Sequence, residues 1–401
     1  MLTTARYRFR ALLLVGGICL LGMTGFLSLA RAGLASGQVA FSDPGPGATW
    51  QGMQNVSQTS GESRVPAIAV DARGYVHIVW EEGRYIYHSY WDRAQWSIPW
   101  RVTIGEQPSI AIDSNNVPHL LFVNEFRGKY QIYYCQWTGG FWSLPRNISN
   151  TSGVSAIPDI AIDSKNTLHF VWTDNSPGYN VIYHGRWTGM FSINMPIPQA
   201  RGSVASLAVG GDDVLHVVWQ DRDSIDEPYE VYHTQYDGSS WSLPENLSDS
   251  DSPSTIPDIA VDRWGLAHIT WEESVGGRDR VYYAGGRSFY WSLQEPVSNG
   301  ASDAYLPSIV VDDRGFSHIA WDQDDRLFYR RRLALTLPWL GQELVSQNSD
   351  GVADIVLAAG PDGDIHAAWA ERLPDGNWEI IYGASSPEFR YRAILPLIMR
   401  D

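Results

Sequence analysis

The sequence predicts an all-β chain, folded as a seven-bladed β-propeller of four-stranded antiparallel blades. Three observations carry this. A short hairpin recurs seven times, most clearly at Ile256–Glu273 (IPDIAVDRWGLAHITWEE), where two short β-branched apolar runs flank the turn DRWG. The copies have propeller spacing: the marker residues His77, His119, His169, His216, His268, His318 and His366 are separated by 42, 50, 47, 52, 50 and 48 residues. Finally, seven hairpins are followed by seven third strands but only six fourth strands, and the missing one lies upstream of the first hairpin.

Met1–Ala32 reads as a targeting segment. Arg6, Arg8 and Arg10 precede an apolar run, and Ala30-Arg31-Ala32 matches a cleavage signature. The alternative is an uncleaved membrane anchor. Either way, the expectation is a secreted or cell-surface ring. Residues 33–49 form a Pro/Gly-rich lead-in. Trp50–Ser57 (WQGMQNVS) is the displaced fourth strand. It is expected to close the ring beside Ile380–Tyr382, because an open ring would leave two unpaired sheet edges.

The hairpins follow at Val65–Glu82, Gln107–Asn124, Ile157–Asp174, Ser206–Asp221, Ile256–Glu273, Leu306–Gln323 and Leu357–Glu371. Third strands begin at Tyr85, Gln131, Val181, Val231, Arg280, Arg326 and Glu379. Fourth strands begin at the aromatic residues Trp96, Trp142, Phe191, Trp241, Trp291 and Trp339. The ring thus spans 50–385. The tail 386–401 carries an apolar run too short to span a membrane, which leaves an added strand, an alternative closing strand or a sorting signal; packing on the ring is preferred.

With 18 Trp, 20 Tyr and 18% charged residues, the composition is that of a globular β protein. Loss of residues 1–32 removes four arginines and no acid, taking the net charge from −16 to −20. That argues against nucleic acid or an anionic membrane as partner. Cys135 is the one cysteine of the mature chain, so no internal disulfide forms, and it reads as a buried apolar residue. No cofactor is implied, beyond the possibility of a structural cation in the channel. The ring is expected to be monomeric.

All ten His fall at two repeat positions, since His88, His184 and His233 each follow a third-strand Tyr. A residue that every blade repeats serves packing and cross-strand hydrogen bonding, so these His are read as structural. The same holds for Trp80, Trp172, Trp219, Trp271, Trp321 and Trp369, for the turn residues Asp71, Asp113, Asp163, Asp262 and Asp312, and for the N-x-S sites at Asn55, Asn147 and Asn246.

Function belongs where blades differ. The second-to-third-strand loops carry Glu82 and Arg84, Glu125 and Arg127, Asp174 alone, Asp221 and Arg222, Glu273 and Arg278, Asp325 and Arg326, and Glu371 and Arg372. They make either a belt of surface ion pairs or a charged funnel for a polar ligand such as a sugar acid or a protein loop. Arg64, Glu106, Ala156, Ser203, Thr255, Tyr305 and Ala353 should ring the channel mouth, with Arg64, Glu106 and Tyr305 the irregular members. On the opposite face, Trp264 is the one Trp among the hairpin turns.

Thr234-Gln235-Tyr236-Asp237-Gly238-Ser239-Ser240-Trp241 resembles the Asp box (BNR repeat) of bacterial sialidase-like propellers, one residue short between Asp and Trp. The other blades are read as keeping the Trp without the Asp. In that family the box is structural and lies opposite the active site. Arg64-Val65-Pro66 is similar to the family's Arg-Ile-Pro entry into the first blade. The resemblance implies Arg64 on a substrate carboxylate, Tyr305 as nucleophile, and Glu106 or Glu82 as its activating base. The further arginines and the acid/base are not placed by motif, and the family ring has six blades.

The leading expectation is an exported, non-catalytic propeller that binds a glycan or extracellular protein on the loop face. The alternatives are a sialidase-type glycoside hydrolase and a rigid surface spacer.

Overall fold

A computed structural model describes residues 50–385, apart from positions 188, 190, 191, 223, 225, 289 and 347–349. The targeting segment, the lead-in and the tail lie outside the described residues. Among those described there are strands and no helix, arranged as seven antiparallel sheets. No helix among them is long and apolar enough to cross a membrane.

Blade one contains Ser63–Val70, Val76–Glu82, Tyr85–Trp91 and Trp100–Ile104, ordered from the axis outward. Blades two to six repeat this order, starting at Glu106, Ser155, Ser203, Ser254 and Ala304. Blade seven is built from Val352–Ala359, Ile365–Arg372 and Trp378–Ser385, with Trp50–Asn55 as its outer strand. Its inner strand packs on that of blade one, which closes the ring.

The closing strand lies where the sequence places it, but in a definite register: Trp50 faces Ser385, and Asn55 faces Ile381. Val56 and Ser57 continue past the strand, with the Val56 amide donating to Ile380 O at 2.8 Å. Trp50 is buried edge-on against Tyr329, ring centroids 5.0 Å apart, among Leu327, Trp369 and Ile381.

Except in blade three, where Ser192–Arg201 runs as one strand, the outer strands are shorter than predicted. Trp96, Trp142 and Trp241 make only isolated bridges, to Trp91, Trp137 and Tyr236. The ladder then breaks at the Ile98-Pro99, Leu144-Pro145 and Leu243-Pro244 pairs that follow, and equally at Leu293-Gln294 in blade five, where no Pro stands. The preceding Ser bridges the gap. Its hydroxyl accepts the third-strand amide in four blades, as at Tyr90 N to Ser97 Oγ, 3.1 Å, and Gly285 N to Ser292 Oγ, 3.0 Å. The price is an apolar side chain left in water, with Ile98, Leu144 and Leu293 all more than four-fifths exposed.

All ten His are buried, and they form one dyad per blade. Nδ1 of each marker His meets either His Nε2 (His77–His88, His169–His184, His216–His233) or a Tyr hydroxyl (Tyr134, Tyr283, Tyr329, Tyr382), at 2.6–3.1 Å. In four blades the far nitrogen of the marker faces the hairpin-turn Asp, as His169 faces Asp163 at 3.5 Å. That Asp uses Oδ1 to cap the amides two and four residues on, at 2.7–3.0 Å, in all five blades that carry it. The sequon Asn residues cap likewise, each accepting the amide three residues on. Ser57, Ser149 and Ser248 beside them are buried. Cys135 is buried too, and burial pushes its thiol up to about 12.

Candidate functional site: the channel mouth and loop face

The channel mouth is built from a bulge that every inner strand carries. Pairing with the second strand shifts between the mouth residue and the residue three positions on, for example between Arg64 and Ala67. The residue after the mouth position is left-handed in each blade: Val65, Gln107, Ile157, Val204, Ile256, Leu306 and Asp354 have φ between 50° and 55°. For non-Gly residues this conformation costs about 1–2 kcal/mol each. A bulge re-aims the strand at the rim of a sheet, and here it points an amide at the neighbouring blade.

Five of these amides are capped across the blade junction. Glu81 accepts Gln107 N, Gln107 Oε1 accepts Ile157 N at 2.8 Å, and Gln220 Oε1 accepts Ile256 N at 2.9 Å. Glu272 Oε1 accepts Leu306 N at 2.7 Å, and Asp354 Oδ2 accepts Val65 N at 3.2 Å. In blades one, four and five the cap is the residue after the marker Trp. In blades two and seven that residue is apolar (Val123, Ala370), and the polar residue at the bulge itself takes the role.

Arg64 belongs to this joinery. It is 6% exposed, its Nε lies 3.0 Å from Asp354, and its guanidinium stacks 3.8 Å over Trp378. It ties blade one to blade seven. Tyr305 is half-buried on blade six, so blade seven separates it from Arg64. Its ladder partner is Asp322, which is buried; that burial, with Asp325 and Glu272 nearby, holds the carboxyl up at about 8. Glu106 is half-buried on blade two opposite Val123.

Deeper in the channel lies an arc of polar residues on blades two to six that the sequence did not single out, interrupted by Ala67 on blade one and Val356 on blade seven. Ser206 Oγ donates toward Asp159 at 3.2 Å and Asp258 at 3.0 Å, and Ser109 donates to Asp159 at 2.9 Å. Burial raises both carboxyls, Asp258 to about 6, although the amides of Leu207 and Ile309 from the next blades hold them down in part. The signal was present in blades two, three, five and six, as Asp or Ser one residue after the opening Pro, but in blade four Ser206 follows Ala205, and only the ring brings the blades together. Among the described residues, no group of three or more His, Cys, Asp or Glu is arranged to hold a metal ion.

On the loop face, acids and arginines separate on blades five and seven. Glu273 turns inward and accepts Trp271 Nε1 at 2.9 Å and Ser250 Oγ at 3.0 Å. Glu371 does the same with Trp369 Nε1, 2.6 Å, and Ser346 Oγ, 2.9 Å. Asp174 is buried on Thr151 and Ser155, each at 2.7 Å, and Glu82 and Asp221 are half-buried. Glu125 and Asp325 stay exposed. Arg84, Arg127, Arg278, Arg326 and Arg372 are exposed, on blades one, two, five, six and seven. Arg222 is half-buried over Tyr229, 4.8 Å from its ring. The exposed arginines therefore run along an arc of five consecutive blades.

On the opposite face, Asp237 Oδ1 caps Ser239 N and Ser240 N, both at 2.8 Å, and these bonds hold its carboxyl down at about 2. Asp92 caps Ala94 N and Gln95 N, at 2.9 and 2.8 Å. This corrects the reading that only blade four keeps the Asp, since Asp92 stands four residues before Trp96 just as Asp237 stands before Trp241. Trp264 lies on this face, 55% exposed.

No protein-family model matches the chain, and no curated protein matches it. Solved structures do. An ulvan lyase described as a new family of polysaccharide lyase, bound to -[GlcA(1-4)Rha3S]-, superposes with a TM-score of 0.62 at 10% identity, over 82% of this chain and 95% of that one. A second polysaccharide lyase gives 0.53 at 12% identity, over 82% and 90%. An α-L-arabinofuranosidase of Fusarium graminearum, in complex with arabinobiose, gives 0.51 at 11%, over 84% and 98%. Two sialidases match at TM-scores of 0.46 and 0.48. At these identities the likeness is one of fold.

Proposed function

We propose that this protein is an exported glycan-binding propeller whose loop face holds an extended acidic polysaccharide, the arginines gathered there offsetting locally the net negative charge that disfavours polyanions elsewhere on the ring. The observation that carries this is the arc of exposed arginines, next to which Glu273 and Glu371 have withdrawn to cap indoles inside the ring. Arginine offers planar, bidentate donors to carboxylates and sulfates. The fold neighbours are named as acting on polysaccharides and arabinosides, which supports a glycan over a protein ligand. Arg64, engaged by Asp354 and Trp378, serves the ring and not a ligand in this reading. The test is affinity electrophoresis of the ring through polygalacturonate and through dextran. Retardation is expected in polygalacturonate alone, and Arg278→Ala/Arg326→Ala/Arg372→Ala should abolish it. Equal mobility of wild type and triple variant sinks the reading.

A second reading, glycan cleavage, draws on the pairing of Tyr305 with Asp322, whose carboxyl holds its proton near neutral pH. A fluorogenic sialoside tests it. Turnover lost in Tyr305→Phe would establish it, and absence of turnover in the wild type removes it for that substrate.

A further inference from the structure

On the rim between blades one and two, far from the loop face, lies a cleft of about 480 Å³. Trp100, at the start of the outer strand of blade one, packs against Trp137, which directly follows the third strand of blade two, and together they form one continuous aromatic wall. Their rings are 5.4 Å apart and tilted by 32°. Trp142 closes the back at 5.7 Å from Trp137, anchored by its Nε1 to His88 Nδ1 at 3.3 Å. Phe141 stands at the opening, 68% exposed, and Arg101 lies on the lip. The turn between the two Trp of blade two is Gly139-Gly140, where an added side chain would meet nothing within 4 Å.

Other junctions use the position of Trp100 differently. Arg146 stacks over Trp187 at 4.6 Å, Glu245 accepts Trp291 Nε1 at 2.8 Å, and Glu295 pairs with Arg332. In each case a charged side chain clasps the next blade. Only blade one puts an indole there, and its junction is walled by half-exposed aromatic faces. The ring does not need this arrangement, because three junctions manage with a clasp.

We infer that the cleft is a carbohydrate subsite that takes a single pyranose ring of a glycan. The C–H face of a pyranose is apolar and flat, and fits an indole face. The volume falls within the range of small-ligand sites. The inference deepens the glycan reading but uses none of the loop-face residues.

The test is ligand-observed NMR titration of the ring with methyl glycosides of glucose, galactose, mannose and glucuronic acid. At least one should saturate, and its affinity should fall about tenfold or more in Trp100→Leu and in Gly140→Leu. Gly140→Leu adds bulk at a residue that lines the cleft while leaving the Trp pair intact, so a folding defect in Trp100→Leu does not blur the outcome. Arg278→Ala/Arg326→Ala/Arg372→Ala should bind the glycoside as wild type does. No saturation with any glycoside, or unchanged affinity in Gly140→Leu, overturns the inference. Polygalacturonate retardation on the same samples separates the two sites: if it persists while every glycoside fails, the cleft falls alone, and if it vanishes while a glycoside saturates, the loop face falls alone.

Discussion

At Asp322 a buried carboxyl stands opposite Tyr305, and desolvation, with Asp325 and Glu272 nearby, lifts it to about 8. In the unfolded chain such a group ionises near 3.8. Between these values the folded state holds the extra proton, so its contribution to stability is fully present below about 3.8 and is lost as pH rises through 8. Asp322→Asn should therefore raise the melting temperature at pH 9 and leave it near wild type at pH 4, as read by differential scanning calorimetry. The buried imidazoles work in the opposite direction. Burial holds His77, His216 and His366 down at about 4 and His184 at about 3. The unfolded chain takes up their protons first as pH falls below 6.5, and stability drains away down to about 4. Melting temperature should fall steeply between pH 6.5 and 4 and lie flat just above 6.5 as far as these groups are concerned.

At the scale of the strand, the capped bulge is the recurring device. Glu272→Ala leaves the Leu306 amide without its cap and should cost about 1–3 kcal/mol in urea unfolding. Glu272→Gln should stay within about 0.5 kcal/mol of wild type, because Gln220 already performs this task for Ile256. A large loss in the Gln variant would show that charge, not the hydrogen bond, matters there. None of these caps was legible in the sequence, since each joins residues of different blades and the partner alternates between the second strand and the bulge. The hairpins were legible because β-branched alternation and a turn Asp act within a few residues. The outer strands were legible in number but not in length, because the break after the Ser depends on where the third strand offers its amide. On the loop face the sequence showed which blades carry Arg, but an acid beside it in sequence, such as Glu273, is not beside it in space once an indole claims it.

For the whole molecule, Trp50–Asn55 is the decisive segment. Trp50→Ala should cost about 3–5 kcal/mol, as for other fully buried Trp. Removal of residues 1–57 strips the outer strand from blade seven and bares the edge of Trp378–Ser385. Such an edge recruits other chains. The truncated protein should elute from size exclusion as dimers and larger species, and a synthetic peptide of residues 50–57 should restore the monomer. A monomer without the peptide would contradict the closure.

Because Trp50 is paired with Ser385, the chain enters and leaves the ring side by side on its rim. That point belongs to the end of the blade bearing the hairpin turns, away from the arginine arc. Mooring by either terminus, whether an unremoved leader or the trailing segment, would consequently hold the disc from the same spot. In both cases the tether would leave from the face away from the arginines, so the choice of anchor would not alter which face carries the attachment.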